Sequence, residues 1–212
     1  MIDGHYKAKI DLFWNYLANN LSGLGLTPNT VTWLGLLLVL LNCVLYFLHK
    51  NNLLFGLLLA LSFAFDALDG AIARVTDRVS KYGGYLDAII DRYQEVAIYF
   101  ILAVVNGYWT VCFIAITGSL LVSYNKARTS VEIPIDNVKW PDLAERFERV
   151  IFICVALILD PFIRIPERFD EDFLFYMIFC IGILTHVTAI QRFLRARNMI
   201  LKSDSASDTD AP

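Results

Sequence analysis

Charge is missing from long parts of this 212-residue chain: residues 31–48 and 96–125 hold no Asp, Glu, Lys or Arg. Apolar residues bunched into runs of that length argue against an ordinary water-soluble domain. Histidine and cysteine are scarce, at three and four residues. Cys43, Cys112, Cys154 and Cys180 lie inside apolar runs at no metal-like spacing, which excludes a zinc cluster or a disulfide framework. They read as small buried hydrophobes. The N-terminus has no short apolar run ahead of a small-residue cleavage site, so the first span is not read as a removable signal. The net charge of −3 favours no class of partner, and no nucleic acid is expected.

Apolar residues, by contrast, make up 57% of the chain. A membrane crossing takes about 20 of them in succession. Six spans are predicted near residues 30–49, 52–74, 83–105, 108–126, 147–163 and 173–193. The fifth is interrupted by Asp160-Pro161 and begins as an interfacial helix in this reading. Residues 5–19 place Ile10, Phe13, Trp14 and Leu17 at helical steps, with Lys7, Asp11 and Asn15 on other faces. That pattern predicts an amphipathic helix lying in the membrane interface; a soluble cap is the alternative. The expected fold class is all-α: a polytopic membrane protein with six transmembrane helices and an N-terminal interfacial helix. The expected organisation is an interfacial helix at 1–22, a six-helix domain at 23–197 and a disordered polar tail at 198–212, the last being small, polar and acidic. Lys and Arg crowd the side that carries both termini, so the positive-inside rule predicts a multi-pass protein of the cell membrane with both termini and the site below facing the cytoplasm.

The most informative stretch is residues 66–91. It reads Asp66-Ala-Leu-Asp69-Gly70-Ala-Ile-Ala73-Arg74, then eight residues, then Gly83-Gly-Tyr-Leu-Asp87-Ala-Ile-Ile-Asp91. Steps of three and four stack two acids on one face of each of two successive helices. Asp66 follows thirteen uncharged residues and Asp91 precedes another apolar run, where an ionised group is costly and needs a counter-charge. All-oxygen ligands without His or Cys favour Mg²⁺ or Mn²⁺ over zinc. Carboxylates bridging two such ions suit a pyrophosphate, and an acid bound to only one of them, as Asp91 would be, can take a proton from an attacking hydroxyl. Gly70 and Ala73 let a ligand approach the backbone, and Arg74 aims a positive fork at a phosphate oxygen.

Elsewhere the signals are weaker. Thr27-Pro28-Asn29-Thr30 starts a helix; its amides, with Asn29, Thr30 and Thr32, also suit an anion or a sugar hydroxyl. Lys126, Arg128, Arg146, Arg149 and Arg192 reach one membrane edge from three spans. Ordinary flanking charge accounts for them; a pocket for a second, phosphorylated ligand is the alternative. His186 reads as a packed histidine.

The spacing D-x2-D-G-x2-A-R-x8-G-x3-D-x3-D, unbroken from Asp66 to Asp91, resembles the signature of the CDP-alcohol phosphotransferases. The resemblance covers about residues 20–195. It implies that Asp66 and Asp87 touch both of two Mg²⁺ (or Mn²⁺) ions, Asp69 one and Asp91 the other, with Asp91 also the proton acceptor. It implies further that Asn29, Thr30, Val31, Thr32, Gly70, Arg74 and Ser80 hold the CDP part of a lipid donor, and that the protein is a homodimer. The stretches 123–128 and 144–149 with Gln191-Arg192 resemble the branch that makes phosphatidylinositol phosphate or its archaeal ether-lipid counterpart. Lys126, Arg128, Arg149 and Arg192 would then bind a small phosphorylated polyol. Residues 83–93 also resemble the domain that joins CDP-inositol to inositol phosphate.

The expected activity is a membrane transferase of phospholipid synthesis. An acceptor hydroxyl, deprotonated by Asp91, attacks the lipid-side phosphorus of CDP-diacylglycerol or CDP-archaeol and CMP leaves. Inositol phosphate is the expected acceptor, with glycerol phosphate, serine or a CDP-inositol donor as alternatives. A divalent-cation or proton-coupled transporter would use the same acids but gives no reason for Gly70, Ala73 and Arg74 beside them.

Overall fold

The computed structural model describes Ala18 and residues 26–135, 145–166 and 170–209. The described residues form helices and no strands. In chain order these are α1 (Pro28–His49), α2 (Asn52–Asp66), α3 (Leu68–Val75), α4 (Lys81–Asn106), α5 (Trp109–Glu132), α6 (Arg146–Leu159), a 3-10 turn (Asp160–Phe162) and α7 (Phe173–Thr209). The chain divides into two compact units. The first is Met1–Gly107 with Cys154–Arg164, and the second is Tyr108–Ile153 with Ile165–Pro212.

Local chemistry sets the boundaries in the first unit. Thr27 Oγ1 accepts from the Thr30 amide at 3.3 Å and Pro28 occupies the first turn, so α1 starts where the capping residues place it. It ends at Lys50, in the left-handed conformation with φ 47°, and Asn51 Oδ1 caps α2 by accepting from Leu54 N at 3.0 Å. The buried stripe of α1 is Thr32, Gly35, Val39, Asn42 and Tyr46, at helical steps of three and four. It packs antiparallel on α2: Asn42 Nδ2 donates to Ser62 Oγ at 2.7 Å, and Tyr46 stacks on Phe55 with ring centroids 4.2 Å apart. The opposite face of α1 exposes Leu37, Leu41, Val44 and Leu48. An apolar outer face with polar pairs turned inward is the arrangement a lipid solvent requires.

The end of α6 also belongs to the first unit. A Cβ on Gly56 would meet Leu157 Cβ at 2.8 Å, so glycine is what lets α2 and α6 approach this closely. Asp160, which interrupts the fifth predicted span, lies in the 3-10 turn and accepts from Asn52 Nδ2 at 2.6 Å. Asn52 Oδ1 in turn accepts from Tyr46 Oη, and Asn106 Nδ2 donates to the same hydroxyl at 2.9 Å.

The second unit is built on α5 against α7. Gly118 lies directly against Thr185 and His186, and Gly182 against Ile114. His186 Nε2 donates to the Ile114 carbonyl at 3.1 Å, a packing role as the sequence suggested. Asn125 Nδ2 donates to the Ala189 carbonyl at 3.1 Å, and Arg192 to that of Val122. Tyr108 hydrogen-bonds Asp172 and meets Phe175 edge to face at 5.3 Å.

Among the described residues, four helical segments are long and apolar enough to cross a membrane: Pro28–His49, Asn52–Val75, Trp109–Glu132 and Phe173–Ser205. The other two predicted spans differ for physical reasons. Helix α4 has the length, at 26 residues, but carries Asp87, Asp91, Arg92 and Glu95. Helix α6 has only 14 residues, about 21 Å at 1.5 Å per residue, short of the ~30 Å hydrocarbon core.

Residues 198–209 are helical, where the sequence suggested a disordered tail. No Gly or Pro interrupts α7 there, and Ser205 Oγ folds back onto the Leu201 carbonyl at 2.8 Å. Of the predicted interfacial helix only Ala18 is described; it is buried with Val31, Leu68, Ala71 and Ile72. The rest of that predicted helix and residues 136–144 lie outside the described residues. Cys43, Cys112 and Cys154 are buried and free as expected; Cys180 is exposed on α7.

Candidate active site

The acid motif spans a break in the helix. Helix α2 ends on Asp66, Ala67 makes the turn, and α3 begins at Leu68 with Asp69 in its first turn. Ser80 then caps α4, its Oγ accepting from Gly83 N at 3.0 Å, and α4 carries Asp87 and Asp91 one turn apart. Carboxylate oxygens of Asp66, Asp87 and Asp91 lie within 4.8 Å of one another. Asp66 and Asp91 are buried, and Asp87 is half-buried.

At that separation each ionised pair repels by about 3 kcal/mol for an effective dielectric near 20. A positive charge among them would offset all three repulsions at once. A compact, all-oxygen, half-buried set suits a hard divalent cation such as Mg²⁺ or Mn²⁺. The donor chemistry therefore fits the metal that the sequence implied.

Asp69 does not belong to that close group. Its Oδ2 accepts from Thr32 Oγ1 at 2.6 Å and its Oδ1 from its neighbour's amide at Gly70. With Asp87 it lines a cleft of about 230 Å³. Of the residues predicted for donor binding, Asn29, Thr32, Gly70, Arg74 and Ser80 line this cleft, together with Arg78 and Ala73. Thr30 and Val31 do not. Thr30 is exposed and hydrogen-bonds Thr27 Oγ1 at 2.8 Å, completing the helix cap. Val31 is buried in the core against Leu68, Ala71 and Ile72 of α3. A Cβ on Gly70 would meet nothing closer than Arg74 Nη1 at 3.5 Å, so the glycine leaves the cleft wall open rather than relieving a clash.

Two residues next to the acids were missed at the sequence level. A Cβ on Gly35 would lie 2.5 Å from Asp66 Oδ1, so α1 presses its bare backbone on that carboxylate. Gln94, with no exposed surface, donates from Nε2 to the same oxygen at 3.2 Å. Gln94 stands three residues after Asp91 and seven after Asp87, so helical periodicity puts it on the acid face. Gly35 carries no such signal within its leucine run. A Cβ on Gly83 would face Ser80 Oγ at 3.1 Å and Asn29 Oδ1 at 3.4 Å, and one on Gly84 would meet open space.

The residues predicted for the acceptor all belong to the second unit. Arg149 and Arg192 are buried, at 4% and 5% exposure, too low for ordinary flanking charge. Lys126 is half-buried. Arg128 is exposed and pairs with Glu132 along its own helix, as an i, i+4 pair does.

The profile of the CDP-alcohol phosphatidyltransferases matches residues 25–190. The archaetidylinositol phosphate synthase of Pyrococcus horikoshii is 36% identical over 186 residues, which cover 87% of this chain and 90% of that one. The phosphatidylinositol phosphate synthase of Streptomyces avermitilis is 28% identical over 192 residues, covering 86% and 77%. Among solved structures, the phosphatidylinositol phosphate synthase of Mycobacterium tuberculosis with CDP-DAG bound superposes with a TM-score of 0.73 at 24% identity, covering 86% of this chain and 92% of that one. The same enzyme in complex with manganese and citrate gives the same score over 86% and 88%. At that identity the structural likeness speaks for the fold. From its sequence matches, the chain belongs to the CDP-alcohol phosphatidyltransferase family and is an integral membrane enzyme of that class.

Proposed function

We propose that this protein transfers the phosphatidyl or archaetidyl group of a CDP-linked lipid to inositol phosphate and releases CMP. The observation that carries the proposal is the close trio Asp66, Asp87 and Asp91 at the edge of a cleft lined by Asp69, Gly70 and Arg74. The named relatives from Pyrococcus and Streptomyces, similar over most of the chain, support inositol phosphate as acceptor.

Asp66, Asp87 and Asp91 would hold the divalent metal, with Asp69 joining from the cleft side when two ions bind. A divalent ion there supplies charge neutralisation for the diphosphate and for the departing CMP. Arg74 and Arg78 at the cleft lip pair with phosphate oxygens, and the Gly70 and Ala73 surface leaves room for the nucleotide. Asn29, Thr32 and Ser80 offer polar atoms for the sugar and base. Asp91 accepts the proton of the attacking hydroxyl; the oxygen–phosphorus bond to the lipid phosphate forms as the bond to CMP breaks, and CMP leaves with the electron pair. Lys126, Arg149 and Arg192 offer cations suited to the phosphate of the acceptor.

Six membrane-embedded helices, with α4 and α6 completing the four apolar ones, form the membrane body in this reading. Residues 23–197 form the catalytic domain. The distribution of Lys and Arg supports both termini and the site on the cytoplasmic side, and a homodimer fits the family. The decisive assay offers purified protein CDP-diacylglycerol or CDP-archaeol with Mg²⁺ and, in turn, inositol phosphate, glycerol phosphate, serine and inositol. CMP release only with inositol phosphate is the expected result. Release with another acceptor overturns the acceptor, and no release with any pair overturns the reaction.

A further inference from the structure

We infer that Gln94 is a positioning residue, which holds the Asp66 carboxylate in the orientation that divalent metal requires. The inference rests on the proposed metal role of the acid trio and goes beyond it, because Gln94 lies outside the aspartate motif.

The geometry is specific. Asp66 Oδ1 is contacted from two sides by two helices other than its own. Gln94 Nε2 donates to it at 3.2 Å from α4, while the backbone of Gly35 on α1 leaves it less space than a methyl group needs. Gln94 is fully buried and Asp66 is 4% exposed, so bulk water is in no position to take over this hydrogen bond. A carboxylate otherwise turns about its terminal torsion, which is soft and broad. A donor on one oxygen removes that freedom and directs the remaining lone pairs.

Chemistry favours an amide for the task. Lys or Arg at position 94 would place a full positive charge beside Asp66 and compete with the cation. A carboxylate would add a fourth like charge. Gln donates a hydrogen bond and leaves the net charge of the trio unchanged, so cation affinity is kept while orientation is imposed. Placement favours it too, since the helix that supplies Asp87 and Asp91 supplies Gln94 on the same face. One rigid element thus sets three of the four groups concerned.

The test is Mn²⁺ binding by the full-length protein in detergent micelles, followed by the loss of the free-ion EPR signal on titration, with no substrate present. Gln94→Met keeps the length and removes the donor; Gln94→Asn keeps the amide but draws it back by one methylene. For Gln94→Met we expect Mn²⁺ binding weaker by about 10- to 100-fold, the range for loss of an outer-shell partner. Gln94→Asn should fall in the same direction. Turnover of Gln94→Met should recover at high Mn²⁺ with the KM for the CDP-lipid unchanged. Wild-type affinity in Gln94→Met, or a reduced rate that excess Mn²⁺ does not restore, overturns the inference. If Gln94→Met does not fold, the same titration on Gln94→Asn decides. Failure of the unsubstituted protein to bind Mn²⁺ would instead overturn the metal reading on which this one rests.

Discussion

Gly35→Ala is the most informative substitution outside the aspartates. The added Cβ would stand 2.5 Å from Asp66 Oδ1. The carboxylate must withdraw by about half an ångström to reach 3.0 Å, and by about 0.9 Å to reach ordinary contact at 3.4 Å. Gln94, at 3.2 Å from the same oxygen, restricts how it can withdraw. Overpacking of this kind costs about 1–3 kcal/mol. Alanine also recovers roughly 0.8–1 kcal/mol of helix propensity over glycine, so the fold should survive. The site should not, because metal and catalytic geometry tolerates about 0.5 Å and a displacement near 1 Å costs about 100-fold in rate. We therefore expect kcat to fall about 100-fold, equivalent to about 2.7 kcal/mol of activation free energy, with the KM for CDP-lipid little changed and the melting temperature within a few degrees of the original. The assay is initial-rate CMP release at saturating Mg²⁺, paired with thermal melting in EDTA. A kcat within threefold of the original refutes the claim that α1 confines Asp66.

Three further outcomes follow. Asp91→Asn keeps the size and one acceptor oxygen but removes the base; it should abolish turnover while CDP-lipid binding, followed by fluorescence or calorimetry, persists. Arg149→Ala and Arg192→Ala should each raise the apparent KM for inositol phosphate at least tenfold, since a hydrogen bond to a charged group is worth about 1.5–3 kcal/mol; an equal loss of CDP-lipid affinity would mark them as structural, and Arg192→Lys, which keeps the charge, should recover part of the effect. Arg128→Ala should leave the acceptor KM within twofold and change stability by less than about 1 kcal/mol, as for an exposed ion pair with Glu132; a tenfold rise in KM would bring Arg128 back into the acceptor site.

Spacing along a helix is a covalent property, so much of this protein could be read before any tertiary neighbour was known. The three- and four-residue steps from Asp66 to Asp91 put acids on shared faces, and Thr27-Pro28 and Asn51 mark where α1 and α2 begin. The apolar runs likewise foretold six spans, and four of them are helices long and apolar enough to cross a membrane among the described residues. Where charge and length disagreed, as in α4 and α6, composition alone did not decide whether a segment is long and apolar enough to cross a membrane.

Partnership across helices is another matter, because it depends on which faces meet. Spacing stacked the four aspartates in pairs on two helix faces; packing gathers Asp66, Asp87 and Asp91 and turns Asp69 toward Thr32 and the cleft. Val31 and Thr32 are neighbours in the chain, yet one enters the core and the other contacts Asp69, since successive residues are about 100° apart around a helix. Gln94 and Asp66 stand 28 residues apart, and nothing local announces that they touch. The class of the enzyme, its apolar helices and the spacing of its acids were legible along the chain, because each is a local property of the sequence. Which oxygen is held, and by which side chain, follows instead from long-range contacts that close packing sets.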